Sequence, residues 1–267
     1  MSAGQFTSGV NLVEVYVSVT DGQGNPISGL TQADFELREN GEPQTIANFT
    51  AGEFPLSAAV AIDRSFSVAG TKLSLAKAAA QTFLGELRRE DEAMIIAIGS
   101  QVEVLAPLSQ DRGAQRDAIT RLDAFGTTGL HDAVIEAIED VQPAKGRRAL
   151  VILSDGDDRY SQATAADALD RARRSDVMVY PIAMGRTRPP LFAELASLTG
   201  GRSSHSADGT ALTETVRAIA RELRQQYLLG YTPTKPPVAG SNDWRSITVT
   251  VKRPDARVRA RDGYLVK

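Results

Sequence analysis

Hydrophobic and polar residues alternate along the first fifty residues of the chain. Valines at every second position between residues 10 and 20 predict a half-buried β-strand there. The next alternating stretch predicts a β-hairpin with arms at residues 35–39 and 44–49, because the Asn40-Gly41 pair between them suits the positive φ angles of a tight turn. Pro43 either weakens the second arm or places it at a sheet edge.

From residue 55 the pattern changes to continuous apolar runs that alternate with stretches of helical periodicity. The apolar runs predict buried strands at 58–62, 93–98, 148–154 and 177–182, with an edge strand at 102–105. The periodic stretches predict helices at 73–88, 112–122, 131–141, 163–174, 190–198 and 212–225. Strands that alternate with helices are typical of βαβ crossovers, so we expect a mostly parallel central sheet with helices on both faces.

After residue 225 the pattern is β-rich again. Strands are predicted at 227–231, 244–252 and 258–266, with a polar loop at 232–243. Each β-rich flank is close to the length of about 40 residues below which a chain rarely supports its own core. We therefore predict that residues 5–54 and 226–267 pair into one small β-sandwich, with a Rossmann-like α/β domain at residues 55–225 inserted between them.

Composition and charge narrow the possible chemistry. The 267 residues include no cysteine and two histidines, and the formal net charge is -3. These counts exclude thiolate metal sites, disulfides, cysteine nucleophiles and multi-histidine centres. A near-neutral charge balance gives no electrostatic case for nucleic-acid binding. No segment has the roughly 20 apolar residues of a membrane span, and no signal peptide is visible in residues 1–10.

Any metal would therefore be held mainly by oxygen atoms, which indicates a hard cation: Mg²⁺ foremost, with Mn²⁺ or Ca²⁺ as alternatives. Three loops at strand ends or helix starts offer such oxygens. The candidate ligands are two carboxylates and three hydroxyls, namely Asp63, Ser65, Ser67, Thr128 and Asp155. Ligands of open α/β sheets bind outside the carboxyl ends of the strands, where two of these loops lie. Neutral hydroxyl donors would leave the cation electrophilic, with a coordination position for an external carboxylate.

Three motifs in these loops resemble the metal-ion-dependent adhesion site of von Willebrand factor type A domains. They are Asp63-x-Ser65-x-Ser67, Thr128 within Thr-Gly-Leu-His-Asp-Ala, and Asp155-Gly156 within Leu-Ser-Asp-Gly. The resemblance covers about residues 55–225, and both flanks resemble the bacterial proteins called VWFA-related. Thr127 is an alternative to Thr128, although the spacing to Leu130 favours Thr128.

The resemblance implies a Rossmann-like fold whose upper face binds protein ligands through the metal. It also implies that the two serines coordinate directly, whereas the aspartates and the threonine exchange between direct and water-mediated roles. An extracytoplasmic location, secreted or periplasmic, is implied as well.

We interpret the chain as a non-enzymatic, divalent-metal-dependent protein-binding module of the adhesion or assembly type, which coordinates an acidic group of its partner. The alternatives are a metal-dependent hydrolase or phosphatase and a structural domain whose site has lost its metal. Against the hydrolase, the common catalytic motifs and a general base are absent. Among neighbouring residues, His131 is expected to orient or pack at a helix start, and Asp157 and Asp158 to be solvated near the start of the next helix.

Overall fold

The computed structural model of the chain describes residues 12–52, 54–235 and 243–266. The expected absence of a signal peptide in residues 1–10, the start of the first predicted strand and most of the loop predicted at 232–243 lie outside the described residues. None of the described helices is both long and apolar enough to cross a membrane.

Fourteen strands and six α-helices make up the described part of the chain. The strands are β1 (Val13–Thr20), β2 (Phe35–Glu39), β3 (Glu42–Gln44), β4 (Ile46–Ala51), β5 (Leu56–Asp63), β6 (Glu92–Ile98), β7 (Val102–Ser109), β8 (Arg147–Ser154), β9 (Met178–Ala183), β10 (Ser204–His205), β11 (Tyr227–Tyr231), β12 (Trp244–Val251), β13 (Arg257–Arg259) and β14 (Gly263–Leu265). The helices are α1 (Thr71–Glu86), α2 (Arg112–Arg121), α3 (Leu130–Val141), α4 (Ala165–Arg173), α5 (Pro190–Thr199) and α6 (Gly209–Arg224).

A six-stranded sheet in the order β10-β9-β8-β5-β6-β7 forms the centre of the α/β domain. Its strands are parallel except for β7, which runs antiparallel at the edge. The central strand β5 is buried along all eight residues, because helices α1, α2 and α6 cover one face of the sheet and α3, α4 and α5 cover the other. This burial on both faces explains why β5 is a continuous apolar run.

The two flanks of the chain form one β-sandwich. Its sheets have the orders β13-β1-β11-β4 and β14-β12-β2-β3, so each sheet contains strands from both flanks. Side chains from the two sheets form one apolar core. In this core the ring centroids of Phe35 and Tyr227 lie 5.0 Å apart. The predicted fold class, a Rossmann-like domain inserted in a sandwich made by both flanks, is confirmed.

The predicted hairpin is wrong in its second arm. Asn40 and Gly41 have positive φ angles of 49° and 81° and form the expected turn, but the chain after them divides between two sheets. Only β3 pairs with β2, whereas β4 pairs with β11 in the other sheet. Pro43 lies in β3, which is the edge strand of its sheet. This is the second of the two alternatives predicted for Pro43. The chain then leaves that sheet, and Ile46 is buried in the sandwich core.

The predicted final strand at 258–266 is also divided. Residues 257–259 pair with β1 in one sheet, and residues 263–265 pair with β12 in the other. The intervening residues contact the α/β domain instead of continuing a strand, since Asp262 donates its N–H to the carbonyl of Leu198. The two-residue strand β10 was not predicted, because so short a segment has no readable periodicity.

Candidate metal centre

Asp63 is the last residue of β5 and is completely buried. Its Oδ1 accepts the N–H of Ser65 at 2.9 Å, which folds the following loop back over the strand end. Its Oδ2 accepts the hydroxyl of Ser154 at 2.6 Å. Because Ser154 ends the neighbouring strand β8, these two bonds connect the carboxyl ends of the two strands at the middle of the sheet.

A chain of hydroxyl contacts leads from this strand end to the second carboxylate. The Oγ atoms of Ser65 and Ser67 are 3.0 Å apart, and Ser67 donates to Oδ2 of Asp155 at 2.8 Å. Asp155 directly follows β8, and Gly156 after it has φ 87°. A Cβ at position 156 would lie 2.2 Å from the ring of Pro189, so the Asp-Gly motif requires its glycine. The structure thus brings together four of the five predicted site residues.

Thr128 is joined through its backbone to the loop that carries Asp155. The residue is buried, and its carbonyl accepts the N–H groups of Arg159 and Tyr160 at 2.9 and 3.0 Å in the loop that carries Asp155. The alternative residue Thr127 has its hydroxyl 3.1 Å from Ser100 Oγ, which also accepts its N–H. The engagement of Thr127 with Ser100 favours Thr128 as the ligand, which remains a prediction.

The loop after β8 caps a helix that is distant in sequence. Oδ1 of Asp158 accepts the N–H groups of Leu130 and His131 at the start of α3, at 2.7 and 3.2 Å. In return, the carboxylate of Asp132 accepts the N–H groups of Gln162 and Ala163, both at 2.9 Å. These reciprocal caps hold the loop of Thr128 against the loop of Asp155.

The prediction for Asp158 is therefore wrong, whereas Asp157 is exposed as expected and pairs with Arg159. The sequence places Asp158 close to α4 along the chain, but the helix that it caps is the spatial neighbour α3. The prediction also missed Ser154 as a partner of Asp63 and Ser161 as a partner of Asp158. Two features of the sequence could have indicated these partners: the Ser-Asp-Gly turn that contains Ser154, and the short polar run after it that contains Ser161. As expected, His131 lies at the start of α3, where its ring is oriented with Nδ1 3.1 Å from the carbonyl oxygen of Ala163.

The electrostatics of Asp63 set this centre apart from a purely structural turn. Burial raises the pKa of Asp63 above its usual range, while hydrogen bonds from Ser154 and Ser65 lower it and the nearby Asp155 raises it. Hydrogen bonds, and no basic side chain, are among the leading contributions that lower it. A buried carboxylate held only by hydrogen bonds costs free energy, which a bound cation would offset.

The donor set fits a hard cation. In the described part of the chain, no group of three or more histidine or acidic side chains is placed to hold a metal, so a metal here would depend on hydroxyl oxygens as well as on the two carboxylates. The nearest ammonium is that of Lys72 in α1, whose Nζ lies 3.7 Å from Oδ2 of Asp155 and 3.4 Å from the carbonyl of Ser67.

One segment of the chain matches a known protein family. Residues 59–157 match the family model described as von Willebrand factor type A domain. That segment contains all five predicted site residues. No curated protein matches the chain.

Solved structures give the same fold at low sequence identity. A von Willebrand factor type A protein from Catenulispora acidiphila has a TM-score of 0.57 at 15% identity, over 87% of this chain and 73% of that one. An aerotolerance-related membrane protein from Bacteroides fragilis has a TM-score of 0.53 at 16% identity, over 63% and 98%. The vWF domain of the type V pili tip protein from Porphyromonas gingivalis has a TM-score of 0.54 at 11% identity, over 63% and 95%. Residues 59–157 therefore match the von Willebrand factor type A family, and the α/β domain that contains them has the fold of such domains, carried on a β-sandwich to which both flanks of the chain contribute.

Proposed function

We propose that the chain is a divalent-metal-dependent protein-binding module of the adhesion or assembly type, which acts outside the cytoplasm. The observation that carries the proposal is the buried carboxylate of Asp63, held by hydrogen bonds beside a row of serine hydroxyls that ends at Asp155. The names of two similar structures, a pili tip protein and a membrane protein, support the type of function and the location.

In this proposal Asp63, Ser65, Ser67, Thr128 and Asp155 hold the cation, which is Mg²⁺ or, alternatively, Mn²⁺ or Ca²⁺. The cation supplies a positive centre that attracts a carboxylate of the partner. The residues of the chain provide the rest: Asp63 contributes charge from below, and the exposed Ser67 leaves the upper side open. The site is assigned no reaction, because the nearby His131 is directed at the carbonyl of Ala163.

Calorimetric titration of the full chain with MgCl₂ or MnCl₂ tests this proposal. We expect saturable binding by the wild type and a higher melting temperature, since a ligand of the native state at 100 times its Kd stabilises by about 2.7 kcal/mol. Asp63→Ala and Ser67→Ala should each weaken or abolish both effects. Asp157→Ala removes a carboxylate from the same loop that is exposed and paired with Arg159, and it should behave like the wild type.

Two results would contradict the proposal. The first is the absence of any binding heat or melting shift in the wild type. The second is an equal response in the wild type and in both site variants, which would place the ion elsewhere. Ser67→Ala guards against a folding defect, since it removes only one exposed hydroxyl.

A further inference from the structure

Large exposed aromatic side chains are concentrated around the candidate metal centre. In the described residues, five large apolar side chains are more than a third exposed: Leu12, Phe66, Val104, Phe125 and Tyr160. The three aromatic ones lie on the three loops that carry the predicted ligands. Phe66 stands between Ser65 and Ser67. Phe125 lies three residues before Thr128, and Tyr160 lies five residues after Asp155. We call Phe66, Phe125 and Tyr160 the aromatic rim.

Hydrogen bonds fix the backbone of each rim residue. Phe66 donates its N–H to the carbonyl of Gly126 at 3.0 Å, and Phe125 donates its N–H to the carbonyl of Arg64 at 2.7 Å. Tyr160 donates its N–H to the carbonyl of Thr128 at 3.0 Å. The guanidinium of Arg64 lies 5.5 Å from the centroid of the Phe125 ring. The rim therefore belongs to the same bonded framework as the candidate ligands.

The side chains of the rim are exposed although hydrogen bonds hold the backbone of each rim residue in place. Phe66, Phe125 and Tyr160 are 67%, 61% and 61% exposed, and aromatic side chains of this kind bury about 150–250 Å² each when covered. Together they expose roughly 300–400 Å² of largely apolar surface on three loops that are hydrogen-bonded to one another. Aromatic side chains on a fixed backbone are also typical of interface hot spots, because little conformational entropy is lost when they are covered.

With a cation bound at the centre, the charge beside the rim would favour an acidic partner. The ammonium of Lys72 is about half exposed at the edge of the centre, 3.7 Å from Asp155. With a cation in the centre, this ammonium would add a second positive group that a partner's carboxylate can approach. A carboxylate therefore fits the polar middle of this surface, and apolar side chains fit the rim.

We infer that the aromatic rim and the centre form one docking surface for a protein segment in which a single Asp or Glu is flanked by large apolar side chains. This inference rests on the proposed function, and it specifies the chemistry of the partner. The carboxylate approaches the cation and Lys72, and the apolar neighbours of that carboxylate cover Phe66, Phe125 and Tyr160.

A random linear peptide library displayed on phage, selected on the full chain in MnCl₂, tests the inference. The wild type should enrich peptides with one acidic residue beside Leu, Ile, Phe or Trp. The triple variant Phe66→Ser, Phe125→Ser, Tyr160→Ser should bind the enriched peptides, made synthetically, about tenfold or more weakly. Its calorimetric titration with MnCl₂ should match that of the wild type, which shows that the centre is intact.

The matched control is Leu12→Ser with Val104→Ser, which removes exposed apolar area outside the three loops. The control should bind the peptides like the wild type. The inference is overturned if no peptide is enriched, if the acidic residue has no apolar neighbours, or if the triple variant binds within twofold of the wild type. Dimerisation of the wild type that the triple variant abolishes would also overturn it, since a second copy of the chain would then be the occupant.

Chelation with EDTA separates this inference from the proposed function. Peptide binding that EDTA and Asp63→Ala both abolish supports the two together. Peptide binding that requires the rim but persists in EDTA contradicts the metal-dependent function, while the docking role of the rim stands. If the wild type binds the metal but peptide binding does not depend on the rim, the inference is overturned while the metal-dependent function stands.

Discussion

At the scale of single residues, the burial of Asp63 is predicted to couple the proposed metal binding to stability. Burial raises the pKa of this carboxyl, and the leading contributions that lower it are hydrogen bonds from Ser154 and Ser65. Asp63→Asn keeps the shape and retains an oxygen to accept the N–H of Ser65. We expect the variant, measured in EDTA, to melt at or above the temperature of the wild type, because the buried charge is gone.

The same variant should gain nothing from added MnCl₂, so the order of the two melting temperatures reverses when the metal is added. Differential scanning calorimetry with and without EDTA measures both values. A variant that melts well below the wild type in EDTA would show that the charged form of Asp63 stabilises the fold by itself.

Lys72 is predicted to oppose the cation that the centre attracts. Its ammonium lies 3.7 Å from Asp155, so it competes with a metal for that carboxylate and repels the bound charge. Lys72→Met should therefore tighten Mn²⁺ binding by about three- to tenfold in calorimetric titration. Lys145→Met, at the opposite end of the central sheet, is the control and should leave the Kd unchanged. A weaker Kd for Lys72→Met would disprove the competition.

At the scale of elements, the reciprocal caps between α3 and the loop after β8 decide whether the two loops of the centre stay together. Asp158→Ala leaves the N–H of Leu130 without its acceptor, while the N–H of His131 keeps its bond to Ser161. The change should lower the free energy of unfolding by about 1–2 kcal/mol. It should also weaken Mn²⁺ binding, because the loops of Thr128 and Asp155 lose a common support.

Asp111→Ala is the comparison for this effect. Asp111 caps α2 by accepting the N–H of Ala114 at 3.0 Å, at a helix that carries none of the predicted ligands. Its removal should cost a similar free energy in urea unfolding but leave the Kd for Mn²⁺ as in the wild type. If both variants shift the Kd alike, the effect of Asp158 is a general loss of stability and not a local one.

Helix α6 connects the α/β domain to the sandwich through one buried acid. Glu222 accepts hydrogen bonds from Ser18 and Tyr180 at 3.2 and 2.9 Å, and its second oxygen lies 2.6 Å from the guanidinium of Arg259 in β13. Burial together with this acid also raises the pKa of Tyr180.

Glu222→Gln should therefore lower the free energy of unfolding by about 3–5 kcal/mol, because it leaves a partly buried arginine without its counter-charge. Urea unfolding followed by circular dichroism gives this value. Glu214→Gln breaks an exposed pair with Arg217 on the same helix and should cost about 0–1 kcal/mol. Equal costs for the two variants would mean that the buried contact contributes no more than a surface pair.

At the scale of the whole molecule, the sandwich depends on both flanks while the α/β domain has its own core. In the sandwich, β1 lies between β11 and β13, and β2 is paired with β12. A chain that ends at residue 226 should therefore lose protection from hydrogen exchange in β1 and β2, because their partner strands are missing.

A fragment of residues 55–225 should remain folded and retain Mn²⁺ binding, since the two core clusters on either face of the central sheet lie almost wholly within it. Circular dichroism and calorimetric titration test both points. An unfolded fragment, or protected β1 amides in the shortened chain, would show that the two parts do not divide as the sheet order suggests.

Local pattern was enough to predict most elements and the strand ends at which two of the proposed ligands lie. The central strands and the helices follow directly from apolar runs and helical periodicity, and the ends of β5 and β8 place Asp63 and Asp155 side by side because neighbouring parallel strands end together. By contrast, the split second arm near Pro43 and the divided final strand depend on which sheet offers a partner, and neighbouring residues carry no record of that choice.

Periodicity and residue type are local properties, and they were sufficient for the α/β class, for the strand ends that bear Asp63 and Asp155, and for the carboxylate and hydroxyl side chains of the predicted site. Packing alone establishes that Asp158 caps α3 and that Glu222 joins the two parts of the molecule. It also bonds the three loops that carry the exposed aromatic residues to one another. Each of these depends on contacts between residues about 30 or more positions apart along the chain, which form only when the strands and helices have packed.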